Sequence, residues 1–86
     1  MYYVYVIRNE KGRTYTGYSS NLKARLKSHN DGENRSTKNH RWEIIYYEAY
    51  RSEEDARRRE KQLKVSGQAR RWLKERIRQS LLSSQG

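Results

Sequence analysis

The chain has 86 residues, with 20 Lys and Arg against 10 Asp and Glu, a formal charge of +10 at pH 7, eight Tyr, two Trp and no Phe, Pro or Cys. That length makes one domain, and the missing Cys excludes disulfides, thiolate metal sites and a Cys nucleophile. No apolar run approaches the ~20 residues of a membrane span, so a soluble, cytoplasmic protein with a polyanionic partner, nucleic acid first, is expected.

Tyr2 to Ile7, rich in Tyr, Val and Ile, reads as a strand. Asn9-Glu10-Lys11-Gly12 is turn chemistry, and Arg13 to Tyr18 is a second strand, so the chain opens on a β-hairpin. Tyr3, Tyr5 and Ile7 share one face of the first strand. A three-residue turn would set Tyr5 opposite Tyr15 and an even loop would separate them; the register is open at this level. Ser20 or Asn21 caps a helix running to about His29. Arg35 to His40 is a polar, basic loop, and Trp42 to Tyr50 is a third strand centred on Ile44-Ile45-Tyr46-Tyr47. Ser52, followed by Glu53, Glu54 and Asp55, starts a helix that runs to about Val65. Ser66-Gly67 breaks it, Gln68 to about Leu82 forms a last helix, and residues 83–86 are an expected frayed tail on the 1–82 domain. The order is β-β-α-β-α-α: an α+β domain with a small three-stranded antiparallel sheet flanked by helices.

Three polar residues fall on apolar stripes. Counting from Leu22 by helical steps, one face of the first helix is Leu22, Arg25, Leu26 and His29. In the second helix, Ala56 and Leu63 define the inner stripe and Glu60 lies between them, the one acid in the run Arg57-Arg58-Arg59-Glu60-Lys61. A carboxylate there costs several kcal/mol unless something pairs with it. An internal ion pair, for example with Arg25, is one reading; a metal ligand in a cleft facing Arg25 and His29 is the other. The preference for Tyr over Phe implies that some phenol hydroxyls are used.

These residues resemble the GIY-YIG nuclease family, named for two short segments on a β-hairpin. Here the segments read Tyr3-Val4-Tyr5 and Tyr15-Thr16-Gly17. The helix Asn21 to Asn30 resembles the family's Arg-bearing helix, with Arg25 on its Arg and His29 on the His four residues later. Glu60 falls on the family's single acidic residue of a later helix. The likeness covers Tyr2 to about Leu73 and is nearest to the short, single-domain bacterial branch. Gly and Ile of the first segment are Tyr3 and Val4 here, and Ile of the second is Thr16; each Tyr and the final Gly17 are kept.

The resemblance implies a metal-dependent DNA endonuclease that hydrolyses phosphodiester bonds with one divalent cation, Mg²⁺ or Mn²⁺, branched or flapped DNA being among the candidate substrates. The catalytic set it implies is Tyr5, Tyr15, Arg25, His29 and Glu60. Glu60 would hold the metal and Arg25 the transition-state charge, Tyr5 would be base or base relay, Tyr15 would position water or phosphate, and His29 would relay a proton. Gly17 allows close backbone approach. Positive charge from Arg25 and the metal is expected to bring the Tyr5 hydroxyl down from its usual ~10. Lys38 and His40 in the basic loop, Arg57 and Arg58 on the second helix, and Arg70 and Arg71 on the last are candidate phosphate contacts, with Arg57 to Arg59 equally readable as a solvated face. A monomer or weak homodimer with little base specificity and no membrane role is expected. The alternative is a catalytically inactive nucleic-acid-binding module on the same fold; a helix-turn-helix reader built from the last two helices would leave the hairpin idle.

Overall fold

The computed structural model describes residues 1–82, so the expected fraying of residues 83–86 lies outside the described residues. Strand β1 (Tyr2–Asn9) runs through the centre of an antiparallel sheet of order β2-β1-β3, with β2 (Thr14–Ser19) and β3 (Trp42–Tyr50) on either side. The hairpin turn is held by backbone bonds from Asn9 N–H to the Arg13 carbonyl and from Gly12 N–H to the Asn9 carbonyl, both 2.9 Å, and by the Asn9 side chain. Asn9 Oδ1 accepts from the backbone N–H groups of Lys11 at 2.9 Å and Arg13 at 3.0 Å, and Gly12, at φ 81°, supplies the left-handed residue that brings the chain back. The resulting register sets Tyr5 opposite Gly17 and Ile7 opposite Tyr15. Tyr5 and Tyr15 are therefore diagonal neighbours on one face, which settles what the sequence left open.

Helix α1 (Leu22–Asn30) is capped by Asn21, whose Oδ1 accepts from Ala24 N–H at 3.0 Å. Helix α2 (Glu53–Val65) starts where expected, but Ser52 makes no side-chain cap bond. Its three first-turn acids act at the positive end of the dipole instead. The expected single last helix is divided at Ile77 into α3 (Gly67–Arg76) and α4 (Arg78–Leu82). No Gly or Pro causes the break. Ile77 is buried in the core, and Arg8 on β1 donates to the carbonyls of Ser80 at 3.3 Å and Leu81 at 2.6 Å, so long-range packing sets the direction of α4.

The two faces of the sheet bury different sets. Val4 and Val6 pack with Ala56 and Leu63 of α2, Ala69 and Leu73 of α3, and Ile77. On the other face Tyr5, Ile7 and Trp42 pack with Tyr15, Ile44, Leu22 and Leu26. A β-bulge in β3 serves both. Val6 pairs with Tyr46 while Ile7 pairs with Ile44, leaving Ile45 as the extra residue, so Ile44 faces one cluster and Ile45 and Tyr46 the other. No described helix is long and apolar enough to cross a membrane.

Candidate active site

Tyr5 lies at the middle of the central strand, only 2% exposed, with its ring directed toward α1 and the β2 backbone. It fits there because residue 17 is Gly. A Cβ on Gly17 would stand 2.3 Å from Tyr5 Oη and 2.5 Å from its Cζ, so no other residue type leaves room for the ring. The hydroxyl meets His29 Nε2 at 2.8 Å. His29 comes from the last turn of α1, is fully buried, and has the Tyr15 ring edge-on at 5.1 Å between centroids.

The electrostatics of this pair follow from burial. Desolvation pushes the Tyr5 hydroxyl up to about 12, and the Arg25 charge and hydrogen bond only partly oppose it while Glu60 adds to it. Without a cation, burial of the ring outweighs the single guanidinium. Desolvation, and then the nearby Arg25 charge, lower His29 below its usual 6.5, so its imidazole is neutral near pH 7 and can accept a proton.

Arg25 and Glu60 both act on the Tyr5 hydroxyl, from α1 and α2 respectively. Arg25 is solvent-exposed, its long stem carrying the guanidinium past the rim of the stripe that periodicity assigns to it. Glu60 is half-buried between Ala56 and Leu63, as the stripe implies. Its ion-pair partner is Lys64 at 3.0 Å, one helical turn on, and the same Lys64 Nζ lies 5.7 Å from the Tyr15 ring centroid. Among the described residues no group of three His, Cys, Asp or Glu gathers to hold a metal. The donor set is one carboxylate, which suits a hard cation that keeps water and takes phosphate oxygens.

The candidate phosphate contacts divide. Lys38 and Arg71 are exposed. His40 Nδ1 pairs with Glu10 at 2.6 Å, and Arg41 N–H donates to the same carboxylate; these two contacts hold Glu10 down at about 2. Arg57 pairs with Glu53 at 3.2 Å and lies over the Tyr18 ring, and Arg58 pairs with Asp55 at 3.4 Å. Arg70 donates to the carbonyls of Leu63 at 3.1 Å and Lys64 at 2.8 Å, closing the end of α2. Arg59, read with its neighbours as a solvated face, is instead half-buried. It forks onto Glu48 at 2.9 Å, a carboxylate that also takes the hydroxyls of Tyr46 and Tyr50.

Thr37 escaped the sequence reading. It is fully buried in the basic loop, with Oγ1 2.7 Å from His29 Nδ1. A lone Thr among polar residues carries no periodic signal, and only the fold brings it against a helix eight positions back.

Comparison with known proteins agrees with this geometry. Residues 1–75 match the GIY-YIG catalytic domain. A UPF0213 protein of Staphylococcus haemolyticus is 36% identical over 66 residues, covering 74% of this chain and 80% of the relative. UPF0213 proteins of Staphylococcus epidermidis and Staphylococcus aureus are 35% and 33% identical over the same spans. No solved structure matches. With the domain match spanning residues 1–75 and relatives of this identity covering most of both chains, this chain belongs to the GIY-YIG nuclease family.

Proposed function

We propose that the protein is a divalent-metal-dependent DNA endonuclease whose site comprises Tyr5, Tyr15, Arg25, His29 and Glu60. The observation that carries this reading is the buried 2.8 Å contact between Tyr5 Oη and a neutral His29, under the joint influence of Arg25 and Glu60. Burial raises the pKa of the Tyr5 hydroxyl in the metal-free protein. The contact with His29 supports relay as its route. As the attacking water gives a proton to Tyr5 Oη, the phenol proton passes to His29 Nε2. The water oxygen bonds to phosphorus, the ester P–O bond breaks, and the departing oxygen takes a proton from solvent. Arg25, always charged and exposed, donates to the phosphoryl oxygens as negative charge builds. Tyr15, half-buried against His29, orients the water or the phosphate. A cation such as Mg²⁺ or Mn²⁺, when held by Glu60, supplies Lewis-acid charge at the phosphate.

The substrate is DNA bound through its backbone with little base preference, branched and flapped forms included. The chain acts as a monomer or weak homodimer, one monomer nicking one strand. One observation favours a second reading, a binding module without chemistry: Lys64 already neutralises Glu60 at 3.0 Å. Labelled duplex, flap and single-stranded DNA incubated with Mg²⁺ or Mn²⁺ separate the two. Cleavage by the wild type that drops about 10²–10³-fold in Glu60→Ala and Arg25→Ala is the expected result. Salt-sensitive binding without cleavage would establish the module, and equal cleavage by all three proteins would place the activity outside this site.

A further inference from the structure

The loop of residues 31–41 joins α1 to β3 and is basic and mostly exposed, yet Thr37 in its middle has 0% exposure. A hydroxyl taken out of water must find hydrogen-bond partners inside the protein or it destabilises the fold. Every polar group of Thr37 is engaged. Its N–H donates to the Asn34 carbonyl at 3.1 Å, and its own carbonyl accepts from Trp42 Nε1 at 2.7 Å. Its Oγ1 lies 3.4 Å from the Asn34 carbonyl and 2.7 Å from His29 Nδ1. Trp42 is fixed in turn by a two-way pairing of its backbone with the Asn30 side chain, at 2.7 and 3.1 Å. The loop is therefore tied to both ends of its span, and Thr37 is the point where it meets the imidazole.

These partners admit one arrangement that serves the relay. The Asn34 carbonyl, which only accepts, lies 3.4 Å from Oγ1; with the Thr37 hydroxyl proton turned toward it, a hydroxyl lone pair faces Nδ1. Nδ1 then carries the ring proton. Nε2 is left bare, and the Tyr5 hydroxyl donates to it across 2.8 Å. With the other tautomer, Nε2–H would point at Tyr5 Oη and Nε2 could not take the phenol proton.

We propose that Thr37 is a positioning residue: by accepting from His29 Nδ1–H it fixes the tautomer that leaves Nε2 free to take the proton of Tyr5. This inference rests on the relay set out above, but its central claim, the tautomer, is observable without any cleavage. The same loop presents Lys38, exposed and next in sequence, so a phosphate contact there is one residue from the anchor of the relay.

The test uses the whole chain with ¹⁵N-labelled histidine. At a pH where His29 is neutral, its Nδ1 is expected to show the protonated-type nitrogen shift and Nε2 the bare type. Thr37→Val keeps the shape and removes the hydroxyl; the pattern is expected to become a mixture of tautomers, while Thr37→Ser retains the wild-type pattern. In cleavage assays Thr37→Val lowers kcat by about tenfold or more with KM for DNA unchanged, and Thr37→Ser stays within about threefold of the wild type. A wild-type spectrum with the proton on Nε2 overturns the proposal, even if Thr37→Val proves too unstable to study. So does a folded Thr37→Val with the wild-type pattern, or a serine variant as impaired as the valine one. A wild type that shows the expected tautomer but cuts no DNA refutes the nuclease reading and leaves the assignment of Thr37 standing.

Discussion

Gly17→Ala tests the packing of the site most directly. The added Cβ would sit 2.3 Å from Tyr5 Oη, 2.5 Å from Cζ and 3.0 Å from Cε2. Non-bonded heavy atoms settle near ~3.5 Å, so the ring must retreat by about 1 Å. It has little room to do so, because Tyr5 is 2% exposed and packs with Ile7, Trp42, Leu22 and Leu26. Overpacking of this kind costs about 1–3 kcal/mol, and stretching the contact to His29 adds roughly 1 kcal/mol. The sum, about 2–4 kcal/mol, lowers Tm by roughly 8–32 °C for a domain this size. A 1 Å displacement at a reacting group also costs about 10²-fold in rate. Thermal unfolding followed by circular dichroism, with cleavage assayed well below Tm, reads both effects. Gly67→Ala is the control: its Cβ would meet nothing nearer than 3.7 Å, and it is expected to leave Tm unchanged or slightly raised. A Gly17→Ala protein that melts and cleaves like the wild type would refute the packing account of this glycine.

Further outcomes follow from the charges. Arg59→Ala strips the fork from Glu48, whose carboxyl burial would raise but which Arg59 and the Tyr50 and Tyr46 hydroxyls hold below its usual value; with side-chain exposures of 24% and 15% the pair is partly buried, and its loss costs about 2 kcal/mol in chemical denaturation. Arg57→Ala, with 64% exposure, leaves the denaturation midpoint close to that of the wild type, and equal effects of the two would contradict the difference in burial. His29 faces Tyr5 from β1, Tyr15 from β2 and Arg25 on its own helix, and its folded pKa lies below the unfolded 6.5. Its contribution to stability is therefore complete above pH 6.5 and is lost as pH falls through the lower folded value; denaturation midpoints against pH, compared with His29→Gln, check the sign. Cleavage is expected to hold through pH 6.5 on the acid side and to fail only lower. Lys38→Ala and Arg71→Ala each reduce the slope of log binding constant against log salt by ~0.9 wherever they meet a phosphate, measured by fluorescence anisotropy on duplex DNA.

The elements and the inner face of each helix were legible in the chain because their signals are short-range. Helical spacing alone put Arg25 and His29 on the stripe of Leu22 and Leu26, and Glu60 between Ala56 and Leu63. Asn21, the Asn9–Gly12 turn and the acids after Ser52 marked boundaries through bonds to backbone a few residues away. The Tyr-for-Phe bias was equally plain, but its uses were not. The hydroxyls of Tyr18, Tyr46 and Tyr50 serve carboxylates of Glu53 and Glu48, and that of Tyr5 meets a histidine.

What tertiary structure alone decided lies between residues distant along the chain. The diagonal placing of Tyr5 and Tyr15 depends on how the backbone and the side chain of Asn9 close the hairpin. Ile45 became a bulge, and the last helix broke at Ile77, because two faces of one strand and a helix end had to be filled at once. The stripe that carries Glu60 could not name Lys64 over Arg25 as its partner. Thr37 reaches His29 only once the loop has folded back under Trp42. Burial, too, is a property of the assembled domain: sinking the ring between sheet and helix raises the pKa of the Tyr5 hydroxyl, against the pull of the Arg25 charge.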